Sequence, residues 1–191
     1  LINTLSDVFA TPVVSALESF VERFGYSIIL CDYKQDPKRF EQKLEFLINR
    51  AIDGLVVFHS EQATPMLKRV SDMGIPIVAI DAPIDGVNAD SVLVDNAVAT
   101  KRAISRLLDE GYQRIGIIAG QESNYIGRQR LLGYQEALKE RGMAVNRDYI
   151  WSGDYTVASG TTGTHVLMQK HPAPDALFAI NYYMGLGTIK A

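Results

Sequence analysis

Short continuous apolar runs alternate along this chain with stretches whose apolar residues recur every three or four positions. These are the signatures of buried parallel strands and of amphipathic helices. Residues 12–24, PVVSALESFVERF, put Val13, Val14, Leu17, Phe20, Val21 and Phe24 on one helical face, and Pro12 suits a first turn. The run YSIIL at 26–30 reads as a strand running into Cys31, and DPKRFEQKLEFLINRAI as a helix with Asp36 as its cap and Pro37 as its first residue. The same grammar repeats in strand GLVVF (54–58), a helix around TPMLKRVSDMG, strands IPIVAI (75–80) and SVLV (91–94), and helix NAVATKRAISRLLDE, which ends at Gly111. Beyond it come strand RIGIIAG, helix RLLGYQEALKERG, the extended stretch YIWSGDY, helix SGTTGTHVLMQKH, strand ALFAI and the start of a further helix. Such alternation implies right-handed crossovers and parallel sheets with helices on both faces, so the expected fold class is α/β.

With 191 residues, 47% of them hydrophobic, the chain can bury a sizeable core in one large domain or two small ones. Nineteen basic residues against 22 acidic ones give a net charge of −3, and the basic residues are scattered, so no stripe suited to nucleic-acid phosphates is expected in this chain. The single cysteine, Cys31, reads as a buried free thiol. No apolar run is long enough to span a bilayer, and no secretory leader precedes residue 1, so a cytoplasmic setting and no membrane contact are expected. The sequence opens inside a strand and stops inside a helix, as a piece of something longer would.

Catalytic patterns are missing. The one Gly-x-Gly, Gly185 to Gly187, lies in a helical stretch without a third glycine, and neither a phosphate-loop lysine motif nor a Gly-x-Ser-x-Gly elbow is present. His59 reads as a polar residue ending a strand, and His165 and His171 do not share a helical face as a metal pair would. Lys101 and Arg102 could contact phosphate, but the turn before them lacks glycine, and a solvated helix surface is the simpler reading. No catalytic residue, metal ligand or cofactor is expected.

Several segments carry a resemblance to the lactose/galactose repressor family of bacterial transcription regulators, in its effector-binding core, which is itself similar to periplasmic sugar-binding proteins. They are GYSIILCDYKQDPKRFEQKLEFLINRAIDGLVV, IPIVAID, VDNAVATKRAISRLLDEGYQRIGIIAG (with Tyr112 where the family usually has histidine), RLLGYQEAL at 130–138, SGDYTVASG at 152–160 and ALFAINYYMGLGTIKA. The order and spacing of these pieces cover essentially the whole chain.

The resemblance implies two Rossmann-like lobes joined by three crossing strands, with an effector in the cleft between them. Residues 1–111 would form the N-terminal lobe and 112–191 a partial C-terminal lobe. A DNA-binding headpiece would lie before Leu1. The implied partners are a small-molecule effector, a second copy of the chain in a homodimer, and operator DNA through that headpiece. An extracytoplasmic sugar-binding protein of a transporter is the alternative, and a flavodoxin-like enzyme a third reading.

Ligand-binding candidates by the same resemblance are Phe9, Asn124, Arg130, Tyr155, Asn181 and Tyr182. Phe9 would stack on the effector, or staple its helix. Arg130 would satisfy adjacent oxygens with its planar fork, or lie on a helix surface. Asn124 would touch the effector or serve as a turn residue, and Tyr155 would line the cleft or pack in the core. Asp95 and Asn96 could reach the cleft, with Asn96 the expected cap of the next helix. The main departure is NYY at 181–183: Asn181 is kept, but Tyr182 stands where the family usually carries an aspartate that accepts sugar hydroxyls, which argues against a simple sugar.

Overall fold

The computed structural model describes residues 1–4, 8–58 and 63–191. His59 lies outside the described residues. The chain divides into two compact units, Leu1–Val94 and Asp95–Ala191. The division falls ahead of the boundary expected near residue 111 because the helix after Val94 packs against an element of the second unit.

The first unit holds, in chain order, helices α1 (Ala10–Val21) and α2 (Pro37–Ile48), strand β1 (Leu55–Phe58), helix α3 (Thr64–Asp72) and strands β2 (Ile77–Ile80) and β3 (Asp90–Val92). The strands pair in parallel in the order β1-β2-β3, with Leu55 opposite Ile77 and Val78 opposite Asp90. Leu1 and Ile2 extend this pairing beyond β1. The Leu1 carbonyl accepts from Phe58 N at 2.9 Å, and Ile2 exchanges bonds with Cys31 and Tyr33 at 3.0 and 3.1 Å. Buried Tyr33, Phe40, Leu44, Val57, Leu67 and Val70 form the core, with the Cys31 thiol buried among them. Asp36 caps α2, its Oδ1 accepting from Lys38 N at 2.8 Å, and Pro37 takes the first turn where its missing N–H costs nothing.

Two expectations are corrected here. The segment 26–30 forms no ladder, because Ile2 reaches only as far as residues 31–33, in one isolated bridge to Asp32, and Ile29 and Leu30 stay exposed. The apolar stripe of α1 is covered unevenly: Val13 and Val14 are half-buried against Ile2 and Phe58, and Leu17 and Val21 are half-buried, whereas Phe20 and Phe24 are 52% and 66% exposed.

The second unit holds α4 (Asn96–Asp109), β4 (Ile115–Ala119), α5 (Tyr125–Glu140), β5 (Ile150–Ser152), α6 (Val157–Met168), β6 (Ala176–Ala179) and α7 (Tyr182–Lys190). Its sheet is parallel, in the order β5-β4-β6, with Ile117 opposite both Ile150 and Phe178. Every residue of the central strand β4 is buried, which is why it reads as an unbroken apolar run. Helix α4 packs on α5, and α6 on α7. The first pair meets backbone to backbone at Gly133, where any Cβ would overlap the Ala97 carbonyl. Lys101 pairs with Glu140 (2.6 Å) and Glu136 (3.9 Å) across the exposed side of that crossing, so it belongs to a surface ion-pair cluster. The fold class is α/β, with parallel sheets flanked by helices, and among the described residues no helix is long and apolar enough to cross a membrane.

Candidate functional site

Parallel strands of α/β sheets present their carboxyl ends, and the amino ends of the following helices, on one edge. In the second unit the chain turns there at Gly120 after β4, at Gly153–Asp154–Tyr155 after β5 and at Ile180–Asn181 after β6. The helix starts are capped by side chains: Asn124 Oδ1 accepts from Gly127 N (3.0 Å) and Asn181 Oδ1 from Met184 N (3.0 Å). Asp95 Oδ1 accepts from Val98 N, also at 3.0 Å. Asp95, not the expected Asn96, is therefore the cap of α4.

Arg130 rises from the second turn of α5 into the middle of these turns. Its Nε donates to Asn96 Oδ1 at 2.8 Å and its Nη1 to the Ile180 carbonyl at 2.6 Å, so the start of α4, helix α5 and the end of β6 meet at one guanidinium. Tyr155, in the turn after β5, is near enough to feel its charge. The Tyr155 backbone sits in the left-handed region (φ 69°), and its carbonyl accepts from Asn181 Nδ2 at 3.3 Å. Its ring runs under the first turn of α5, where a Cβ on Gly127 would come within 2.6 Å of the phenol oxygen and one on Gly120 would overlap it. That oxygen is the buried side-chain polar atom left without a hydrogen-bond partner among the described residues.

The candidates thus divide. Asn124, Arg130, Tyr155 and Asn181 are drawn together, joined by hydrogen bonds or close packing. Tyr182 opens α7 and is 57% exposed, its ring edge-on to Tyr183 at 5.4 Å. Phe9 belongs to the first unit, immediately before α1, with its ring edge-on to Phe58 at 6.2 Å. Asn96 was underweighted by sequence reasoning, since nothing in VDNAVAT shows that Asp95 takes the capping role. Gly120 and Gly127 were not singled out, although a glycine directly after a strand is the signal for close approach of a neighbouring side chain.

Over residues 1–191, the whole chain, the sequence matches the family described as periplasmic binding proteins and the sugar-binding domain of the LacI family. The chain belongs to this family. The HTH-type transcriptional repressor PurR of Actinobacillus pleuropneumoniae serotype 5b is 28% identical over all of the chain and 57% of its own length, and the ribose operon repressor of Haemophilus influenzae is 26% identical over the same shares. The chain spans just over half the length of these curated relatives. A crystal structure of a sugar-binding LacI-family transcriptional regulator from Escherichia coli, complexed with phosphate, superposes with a TM-score of 0.85 at 25% identity, covering all of this chain and 69% of that one.

In this LacI-family unit burial shifts two tyrosines, Tyr134 and Tyr155, upward. It pushes the Tyr155 phenol up to about 12, with the Arg130 charge pulling the other way. Asp154 is held below the ordinary carboxylate range by the Thr156 hydroxyl and amide, both bonded to its Oδ1. Beside it a shallow depression of about 390 Å³ is lined by Gln121, Trp151, Ser152, Thr156 and Ser159. A larger one, about 650 Å³, lies in the first unit along α2 between Lys38 and Asn49, far in sequence from any candidate. Neither is lined by Arg130 or Tyr155, whose claim rests on their fixed geometry at the strand ends.

Proposed function

We propose that this chain is the effector-sensing part of a DNA-binding transcriptional repressor, a sensor without catalysis of its own, and that it takes a small polar metabolite at the strand ends of the second unit. The observation that carries the reading is Arg130, held at two points near Tyr155. Arg130 would donate to ligand oxygens and the Tyr155 ring would cover an apolar face. Asn124, Asn181 and Tyr182 are the further ligand candidates. A simple sugar is disfavoured because the exposed phenol of Tyr182 supplies a single neutral hydroxyl where a carboxylate would accept two.

Likeness to PurR and to a ribose operon repressor supports repression over transport as the role of the whole protein. That protein would act in the cytoplasm as a homodimer on a two-fold operator. With a net charge of −3 this chain is not suited to grip phosphates itself, so effector occupancy would change operator affinity indirectly, through a coupling of about 1–3 kcal/mol.

The test is a thermal-shift screen of sugars, nucleosides and phosphorylated metabolites, because a ligand that binds only the native state raises the melting temperature. A hit is expected whose effect disappears when Arg130 and Tyr155 are both replaced by alanine. A hit undiminished in that double variant would refute the site.

A further inference from the structure

Asn96 is the first residue of α4 and only 4% exposed. Amide side chains at helix starts usually serve as caps or face water. Here Asp95 caps, and the Asn96 carboxamide turns inward to accept from Arg130 Nε. Arg130 Nη1 is bonded to the Ile180 carbonyl at the same time. These two acceptors come from separate elements and engage different nitrogens of one planar group, so together they set its plane as well as its position. One turn further along, the backbone contact of Gly133 with Ala97 sets the close spacing of α4 and α5 that lets Asn96 reach.

We propose that Asn96 is a positioning residue for the effector site, fixing the guanidinium of Arg130 before ligand arrives. The proposal rests on the reading of Arg130 as an effector contact. A side chain on a long flexible stem loses rotamer freedom when it binds, and one already held has lost it beforehand, which favours affinity. Removing the amide takes away the acceptor on Arg130 Nε and leaves the Nη1 bond to the Ile180 carbonyl in place. An aspartate keeps the acceptor and adds a charge, so it restores the hold.

The experiment uses the full 191-residue chain, ¹⁵N-labelled, and follows the arginine Nε–H region at neutral pH, with Arg130 assigned by the signal lost in Arg130→Lys. A slowly exchanging Arg130 Nε–H is expected in the native chain. In Asn96→Ala its exchange with water rises about ten-fold or more, the scale of a hydrogen bond to a charged group. In Asn96→Asp it stays slow, and its chemical shift follows titration of the new carboxylate in the acid range. The Val98 amide, held by Asp95, reports whether the start of α4 is intact. Exchange within two-fold of native in Asn96→Ala, with Val98 still protected, overturns the proposal; should that variant not fold, a fast-exchanging Nε–H in Asn96→Asp overturns it instead. The effector reading is tested apart from this, with D-ribose and inorganic phosphate as thermal-shift probes: a probe that stabilises the native chain and Arg130→Ala equally defeats that reading while leaving the Asn96 result standing.

Discussion

Replacing Tyr155 by phenylalanine removes one oxygen and leaves the ring in place, and the structure gives the consequence a sign. The phenol oxygen is buried, has no hydrogen-bond partner among the described residues, and presses against Gly120 and Gly127. A buried hydroxyl without a partner costs about 1–3 kcal/mol relative to water, while the ring carries most of the packing. Loss of contacts by one atom offsets a few tenths of this. The Tyr155→Phe variant should therefore be more stable by about 1–2 kcal/mol, which for a chain of 191 residues corresponds to a rise in melting temperature of roughly 2–8 °C. Thermal and urea melts followed by circular dichroism measure both quantities. A Tyr155→Phe variant less stable than the native chain would refute the reasoning, because it would show that the hydroxyl makes a bond that the static geometry does not contain.

Other consequences follow from the packing of the second unit. Gly133→Ala must drive a methyl group into the Ala97 carbonyl, so α4 and α5 separate at a cost of about 3 kcal/mol, visible as a lowered urea midpoint. Asp95→Ala removes the cap of α4 and should cost about 1 kcal/mol in the same assay. Burial holds Tyr134 and Tyr155 protonated up to about 12, above the ordinary value of 10.0 that the unfolded chain shows. Their contribution to stability is therefore complete below pH 10 and is lost as pH rises toward 12. Urea midpoints at pH 9 and 11.5 should show that loss, and Tyr155→Phe should make it shallower.

How much of this was legible in the sequence depends on whether a residue's partner is close along the chain. Asp36 with Pro37, and the buried run at 115–119, announced their elements, because capping and burial on both faces leave local marks. The run at 26–30 misled because its apolar residues look like those of any strand, while pairing depends on what lies alongside, and among the described residues the bridge from Ile2 falls at 31–33 instead. Arg130 and Tyr155 could be singled out by their place in RLLGY and GDY. The Asn96 and Ile180 acceptors that hold Arg130 lie 34 and 50 residues away, and no local pattern signals them. Nor does GDY reveal that the Tyr155 hydroxyl runs under α5 against two glycines.

The most direct measurement is chemical-shift mapping of the labelled chain titrated with whichever metabolite raises its melting temperature most. The account predicts perturbations concentrated at Asn124, Gly127, Arg130, Tyr155 and Asn181, which gather at the strand ends of the second unit. Perturbations confined to the face of α2 between Lys38 and Asn49, with Arg130 and Tyr155 unmoved, would contradict it.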